Sequence, residues 1–159
     1  YMSLEIARKF LVNNNEFKKL AYQQNTLKQG YLNTDKKRTV RVRIQDNKAY
    51  LTVKGKSNKS GTTRFEWEKE ITISDAENLL FLCEESIIEK TRYFIKNDHL
   101  TFEVDEFYGD NEGLIIAEIE LNSENESFHK PDWLGKEVTG DSKYYNSNMS
   151  KNPFKNWAL

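Results

Sequence analysis

The sequence predicts a mainly β, α+β fold: an antiparallel sheet or barrel of about eight strands, with helices packed outside it. Two observations predict this. Eight stretches are short, rich in Val, Ile, Thr, Tyr and Phe, and separated by turn formers such as Asp46-Asn47, Asn97-Asp98 and Gly109-Asp110-Asn111. Along nearly all of them charged and apolar residues alternate with the period of two that an extended chain imposes.

The elements follow in order. Residues 3–12 (SLEIARKFLV) read as the first strand, and NNNEFKKLAYQQ offers asparagine caps before a short helix. Strand-like stretches come next: TLKQGYLN, RTVRVRIQ, KAYLTVKG and TTRFEWEKEIT. An amphipathic helix is expected from Ser74 to Glu85, capped by Ser74 with Glu77 three residues on, its apolar side formed by Leu79, Leu80 and Cys83. SIIEKTRYFIKN, LTFEVDEFYG and GLIIAEIELN complete the strands. Beyond Asn122 the pattern turns helical or irregular, with Trp133, Tyr144, Tyr145 and Trp157 expected to anchor it.

Bulk properties narrow the function classes. A length of 159 residues fits one domain, taken as 3–159, with Tyr1 before Met2 read as a remnant outside the fold. Lys and Arg total 24 against 25 Asp and Glu, without the basic excess expected of a duplex-binding protein. No apolar run is long enough to span a bilayer, and no export signal is evident, so a reducing cytoplasm is the default expectation. A lone cysteine, Cys83, can build neither a disulfide framework nor a thiolate metal site. Whether the chain forms a homodimer stays open.

Side chains two apart on a strand share a face. That rule groups Glu5, Ala7 and Lys9; Arg41 and Arg43; Lys54 with Tyr50 and Thr52; and Arg64, Glu66 and Glu68 opposite Phe65 and Trp67. It also groups Lys90 with Arg92, Glu103 with Asp105, and Glu118 with Glu120. On any single strand such a face is ordinarily solvated. Repetition across nearly every strand, with basic and acidic strands distinct, points elsewhere. If the faces turn inward, one wall is cationic and the other anionic. Such an interior is too costly to desolvate unless it holds water, metal and a highly charged ligand. A polyanion bridged by divalent cations fits: guanidinium and ammonium groups take phosphate oxygens, and carboxylates take Mg²⁺ or Mn²⁺.

The ordered set LEIARKFLV, RVRI, LTVKG, RFEWEKEI, EKTRY, FEVDEFYG, AEIEL and GKEVTGDSKYYN resembles the CYTH domain of the triphosphate tunnel metalloenzymes, in particular small bacterial members, over residues 3–150. The resemblance implies an eight-stranded antiparallel β-barrel tunnel that holds a triphosphate and divalent ions. It implies phosphate contacts from Lys9, Arg41, Arg43, Lys54, Arg64, Lys90 and Arg92. The acidic side would come from Glu5, Glu66, Glu68, Glu103, Asp105, Glu118 and Glu120, with Glu5, Glu118 and Glu120 first as metal ligands. One departure stands out. The family's Glu-x-Glu-x-Lys signature reads Glu5-Ile6-Ala7-Arg8-Lys9 here, so Ala7 removes one carboxylate.

The expected reaction is hydrolysis of inorganic triphosphate, with Lys90 as base, its pKa lowered by cationic neighbours and desolvation, and Tyr31 as its assistant by resemblance. Two alternatives stand beside it: class IV adenylate cyclase or hydrolysis of an organic (nucleoside or thiamine) triphosphate, and a non-catalytic triphosphate-binding module suggested by Ala7. Other residues read as ordinary. His99 and His129 lack ligand spacing, Cys83 reads as a packed thiol, and Phe65 and Trp67 as packed beneath an outer helix. Glu124 and Glu126 read as a solvated loop, while Glu137 and Tyr144 either cap the tunnel or pack.

Overall fold

The computed structural model describes residues 3–157, so the Tyr1-Met2 start lies outside the described residues. Nine strands form one sheet: β1 (Ser3–Val12), β2 (Gln23–Asn33), β3 (Arg38–Gln45), β4 (Lys48–Gly55), β5 (Thr63–Ile71), β6 (Glu84–Asn97), β7 (Leu100–Phe107), β8 (Ile115–Glu120) and β9 (Leu134–Glu137). Their order is β5-β4-β3-β2-β6-β7-β8-β1-β9, and β5 also pairs with β1, which closes the first eight into an antiparallel barrel. Closure is achieved within β1. Ser3–Ile6 pair with Glu66–Thr63 of β5, and Ala7–Leu11 pair with Glu120–Ile116 of β8. Beyond β5, β9 continues along β1 through Phe10↔Glu137 and Val12↔Leu134.

The turns obey their chemistry. Two-residue loops join β3 to β4 and β6 to β7, and Asp46 (φ 53°) and Asp98 (φ 56°) take the left-handed conformation that aspartate tolerates.

Most of the apolar core lies outside the barrel. Alternate residues of β7 (Leu100, Phe102, Val104) point outward with Tyr93, Ile95, Ala117 and Ile119, and are covered by Phe17 of α1 (Phe17–Leu20) and by Trp133 and Leu134. A second cluster lies on the inner face at one end of the barrel: Tyr31, Ile88, Phe107 and Ile116, on the same strand faces as the charged residues, pack against Val138, Tyr144 and Met149 of the C-terminal segment, which includes α3 (Asn146–Lys151). A third places Ala76 of α2 (Ile73–Leu80) on Val42 and Ala49. Away from that end the strands spend their apolar faces on the outer layers, which leaves their charged faces for the interior.

Several sequence expectations need correction. The second helix runs Ile73–Leu80, not Ser74–Glu85, and its cap is Thr72, whose hydroxyl accepts from Asp75 N at 3.1 Å. The chain turns at Phe81–Cys83 because β6 begins at Glu84, whose strand pairing with Tyr31 outcompetes another helical turn. Cys83 thus lies beyond the helix and packs on Gly30, where an added Cβ would stand 2.9 Å from its sulfur. Phe65 is not under a helix: α2 covers β2, β3 and β4, and Phe65 remains 55% exposed beside Leu4, its partner on β1. Finally, the stretch after Asn122 contains one strand, β9, that alternation did not signal.

Candidate active site

The barrel encloses a cavity of about 190 Å³. Into it project Glu5 and Lys9 from β1, Tyr31 from β2, Arg41 and Arg43 from β3, Lys54 from β4, and Arg64, Glu66 and Glu68 from β5. Lys90 and Arg92 come from β6, Glu103 from β7, and Glu118 and Glu120 from β8. Alternation had grouped all of these except Tyr31. The strand order also explains the charge distribution. β4, β3, β2 and β6 make a cationic arc, β7 and β8 a carboxylate arc, and β1 and β5, where the two meet, carry both signs.

Asp105 differs from the expectation. It is buried and does not line the cavity. Its Oδ1 accepts from Arg92 Nε at 2.7 Å, and its Oδ2 accepts from Arg92 Nη2 at 2.9 Å and pairs with Lys90 Nζ at 2.7 Å. Both oxygens are committed to cations, so Asp105 is a counter-ion holding two basic side chains and not a free ligand.

Ion pairs run across the arcs. Lys54 Nζ lies 3.0 Å from Glu5 Oε1 and 3.2 Å from Glu66 Oε2, and Arg92 Nη1 lies 3.1 Å from Glu103. Arg41 Nη2 is 3.1 Å from Thr52 Oγ1 and 3.6 Å from Glu68. Arg43 has no ion pair among the described residues; its Nε donates to Gln29 Oε1 at 2.8 Å. Burial, together with Arg41 and Arg92, pushes the Arg43 pKa down to about 9, so the guanidinium is charged at neutral pH yet poorly compensated. The buried Nε of Arg41 has no hydrogen-bond partner among the described residues. Both arginines therefore present unmet demand for an anion.

The carboxylates show the converse. Burial alone would raise Glu5, but Lys54 and Arg64 reverse that and hold it at about 2. Glu120 makes no ion pair among the described residues; burial and then Glu5, Glu103, Glu118 and Glu66 push it up to about 7. Five carboxylates thus bear on one region in which Glu120 lacks a cation. Ala7 stands directly opposite Glu120 in the β1–β8 register, so the cross-strand position holds a methyl group.

As hard oxygen donors, these groups suit a divalent ion such as Mg²⁺ or Mn²⁺. Among the described residues no three His, Cys, Asp or Glu side chains are close enough to hold one by themselves. These carboxylates would therefore fit only an ion that completes its coordination with ligands from outside the protein.

Lys90 is 1% exposed. Its Nζ donates to Asn146 Oδ1 at 2.8 Å and pairs with Asp105. Burial drives its pKa well below the ordinary lysine value; Asp105 opposes this, and Arg92 and Arg43 add to it. Tyr31 shares the cavity but makes no hydrogen bond to Lys90 among the described residues; its hydroxyl lies 3.5 Å from Gln29 Nε2, which donates to Asn146 at 2.9 Å. Gln29, Thr39, Asn146 and Ser147 are cavity residues or partners that the sequence did not single out, while Thr52 had been placed only on the face of Lys54 and Tyr145 only as a tail anchor. Gln29 had a signal, lying two before Tyr31 on one strand face, but Asn146 in the irregular tail had none.

The remaining candidates lie apart from the cavity. Glu137 binds Arg8 at 2.6 Å on the outside, and Tyr144 packs in the second apolar cluster. His99 pairs with Glu126 at the surface, and Glu124 accepts from Asn58, Ser60 and Thr62. Among the described residues no helix is long and apolar enough to cross a membrane.

This arrangement has relatives. Residues 3–152 match the CYTH domain. The chain belongs to the CYTH domain family. A CYTH relative from Acetivibrio thermocellus, named inorganic triphosphatase, is 52% identical over 157 residues, covering 98% of this chain and 99% of its own. One from Nitrosomonas europaea with the same name is 36% identical over 150 residues, 92% of this chain and 96% of its own. A crystal structure of an inorganic triphosphatase superposes with a TM-score of 0.65 at 33% identity, over 92% of this chain and 97% of that one. A crystal structure of a putative adenylate cyclase from Bacillus halodurans, at 16% identity and TM-score 0.58 over 77% of this chain and 83% of that one, shares the fold. CYTH triphosphatases are metal-dependent in general.

Proposed function

We propose that this CYTH protein hydrolyses inorganic triphosphate within its barrel, using Mg²⁺ or Mn²⁺. The observation that carries the reading is the cavity lining: seven cations and six carboxylates, with no aliphatic side chain among them. A linear polyanion satisfies the cations along its length. A nucleobase or thiazolium would find only Tyr31 and Tyr145 to pack against, which disfavours an organic triphosphate. The names of the two curated relatives support the same substrate.

In this reading Lys9, Arg41, Arg43, Lys54, Arg64 and Arg92 bind the non-bridging oxygens, the arginines as planar two-pronged donors. Glu5, Glu118 and Glu120, backed by Glu66, Glu68 and Glu103, would hold the metal ion. The ion, when bound, neutralises charge on the group being transferred. Lys90 takes a proton from the attacking water at Nζ. A neutral amine has two N–H bonds and one lone pair; Asp105 and Asn146 accept the two, and the lone pair is left for the cavity that Lys90 lines. The Tyr31 hydroxyl orients that water from the same wall.

Phosphate release from tripolyphosphate, ATP and thiamine triphosphate, each with Mg²⁺ and with Mn²⁺, tests the proposal. The expected result is metal-dependent release from tripolyphosphate well above the other two. Preference for ATP or thiamine triphosphate overturns the substrate assignment. Tight tripolyphosphate binding without release makes the protein a binding module, a reading that Ala7 specifically favours.

A further inference from the structure

We propose that Asn146 is a positioning residue: its side-chain oxygen fixes the Lys90 head group and the Gln29 amide together, so that the C-terminal segment sets the geometry of the cavity wall. The inference rests on the reading that Lys90 acts on the ligand of this cavity.

Hydrogen-bond polarity carries the argument. Arg43 can only donate, so the Gln29 atom 2.8 Å from its Nε is the oxygen. That orients the Gln29 NH₂ toward Asn146 at 2.9 Å, where it requires an acceptor. Lys90 Nζ, also a donor, meets the same Asn146 atom at 2.8 Å. The Gln29 NH₂, an obligate donor here, and an N–H of Lys90 come from the paired strands β2 and β6 and meet one oxygen at one place. A flipped Asn146 would set its NH₂ against that of Gln29. The amide orientations are thus dictated by chemistry, and Arg43–Gln29–Asn146–Lys90–Asp105 is one continuous path.

Asn146 is held from the tail, not from the barrel. It opens α3, which packs on β6 and β2 and is anchored by the fully buried Met149. The preceding Tyr145 lays its ring 4.8 Å from Lys9 Nζ. Removing the Asn146 oxygen leaves the Gln29 amide with only the 3.5 Å contact to Tyr31, and frees Gln29 to release Arg43. Lys90 would keep Asp105 alone and could rotate about that single contact.

The test is a double-mutant cycle on the full chain, comparing Asn146→Ala, Asn146→Asp, Lys90→Met and Asn146→Ala/Lys90→Met, with melting curves as a check on folding. Asn146→Ala is expected to lower kcat for tripolyphosphate about 10- to 100-fold, with KM within about threefold, the cost usual for losing a residue that orients a working group. Asn146→Asp, which keeps an acceptor for both donors, restores most of the rate. In the Lys90→Met background Asn146→Ala costs clearly less than in the wild type, because only the Gln29–Arg43 arm is left to lose. Equal rates for the Ala and Asp variants, or a full additional loss in the double variant, overturn the inference. A second readout needs no turnover. In protein labelled with ¹⁵N-lysine, the side-chain signal that disappears in Lys90→Met should persist in Asn146→Asp and be shifted or lost in Asn146→Ala. An unchanged signal in Asn146→Ala sinks the inference even if the wild type releases no phosphate. Conversely, a wild type that releases none while this signal responds sinks only the hydrolysis reading.

Discussion

Glu120 is the carboxylate most out of balance with its surroundings, and its titration has a predictable sign. Its folded-state pKa, about 7, lies above the unfolded value of 4.5. The stability it contributes is full below 4.5 and lost as pH rises through about 7. The melting temperature of the metal-free protein should therefore fall between pH 5 and pH 7, and Glu120→Gln should flatten that fall; matched melts across this range measure it. Glu5 has the opposite sign. Held at about 2, it supports the fold above 4.5 and withdraws that support as pH drops toward 2. Across the strand from Glu120, Ala7→Glu should tighten metal binding by about 10-fold or more and raise turnover, as judged by metal titration and phosphate release. Charged residues on strands were legible at this scale because alternation fixes a face. Asp105 was grouped with its face, yet burial at its ion pairs withdrew it from the cavity. The role of Asn146 depends on where a tail folds back, which no local pattern encodes.

At the scale of elements, periodicity revealed the eight barrel strands and missed β9. LGKE is too short to alternate; it is a strand because the edge of β1 beyond β5 offers it partners. The helix cap was displaced by two residues for a similar reason. Thr72 and Ser74 are both competent caps, and packing of Ala76 on Val42 and Ala49 selects the first. Thr72→Ala should cost about 1 kcal/mol in denaturant unfolding, whereas Ser74→Ala should cost little. Gly30→Ala should cost about 1–3 kcal/mol, because the new methyl carbon would sit 2.7 Å from Ile87 Cδ1 and 2.9 Å from Cys83 Sγ. Chemical denaturation of the single variant and of Gly30→Ala with Cys83→Ala would isolate the Sγ contact, since the Cβ of residue 83, also 2.9 Å away, remains.

For the whole molecule, alternation established that each strand has one apolar and one charged face but not which side was enclosed. The fold answers by placing two apolar layers outside and charge within, with a third apolar cluster closing one end of the interior. A protein so arranged retains unfavourable electrostatics until an anion and a cation arrive together. Tripolyphosphate with Mg²⁺ at a hundred times the dissociation constant should add about 2.7 kcal/mol of stability, seen as a rise in melting temperature. Either ion alone should do less, since each leaves one arc unmet.

The way β1 is shared between two neighbours bears on how the chain reaches this state. Residues 7–11 find their β8 partners only at 116–120, the far side of the sequence. β2 to β5 and β6 to β8 can each assemble as sequential hairpins and join through β2 and β6, but β1 must wait for β8 before the seam is sewn. Until then a ribbon with two bare edges presents unpaired amides and carbonyls to any passing strand, and aggregation competes most strongly in that interval.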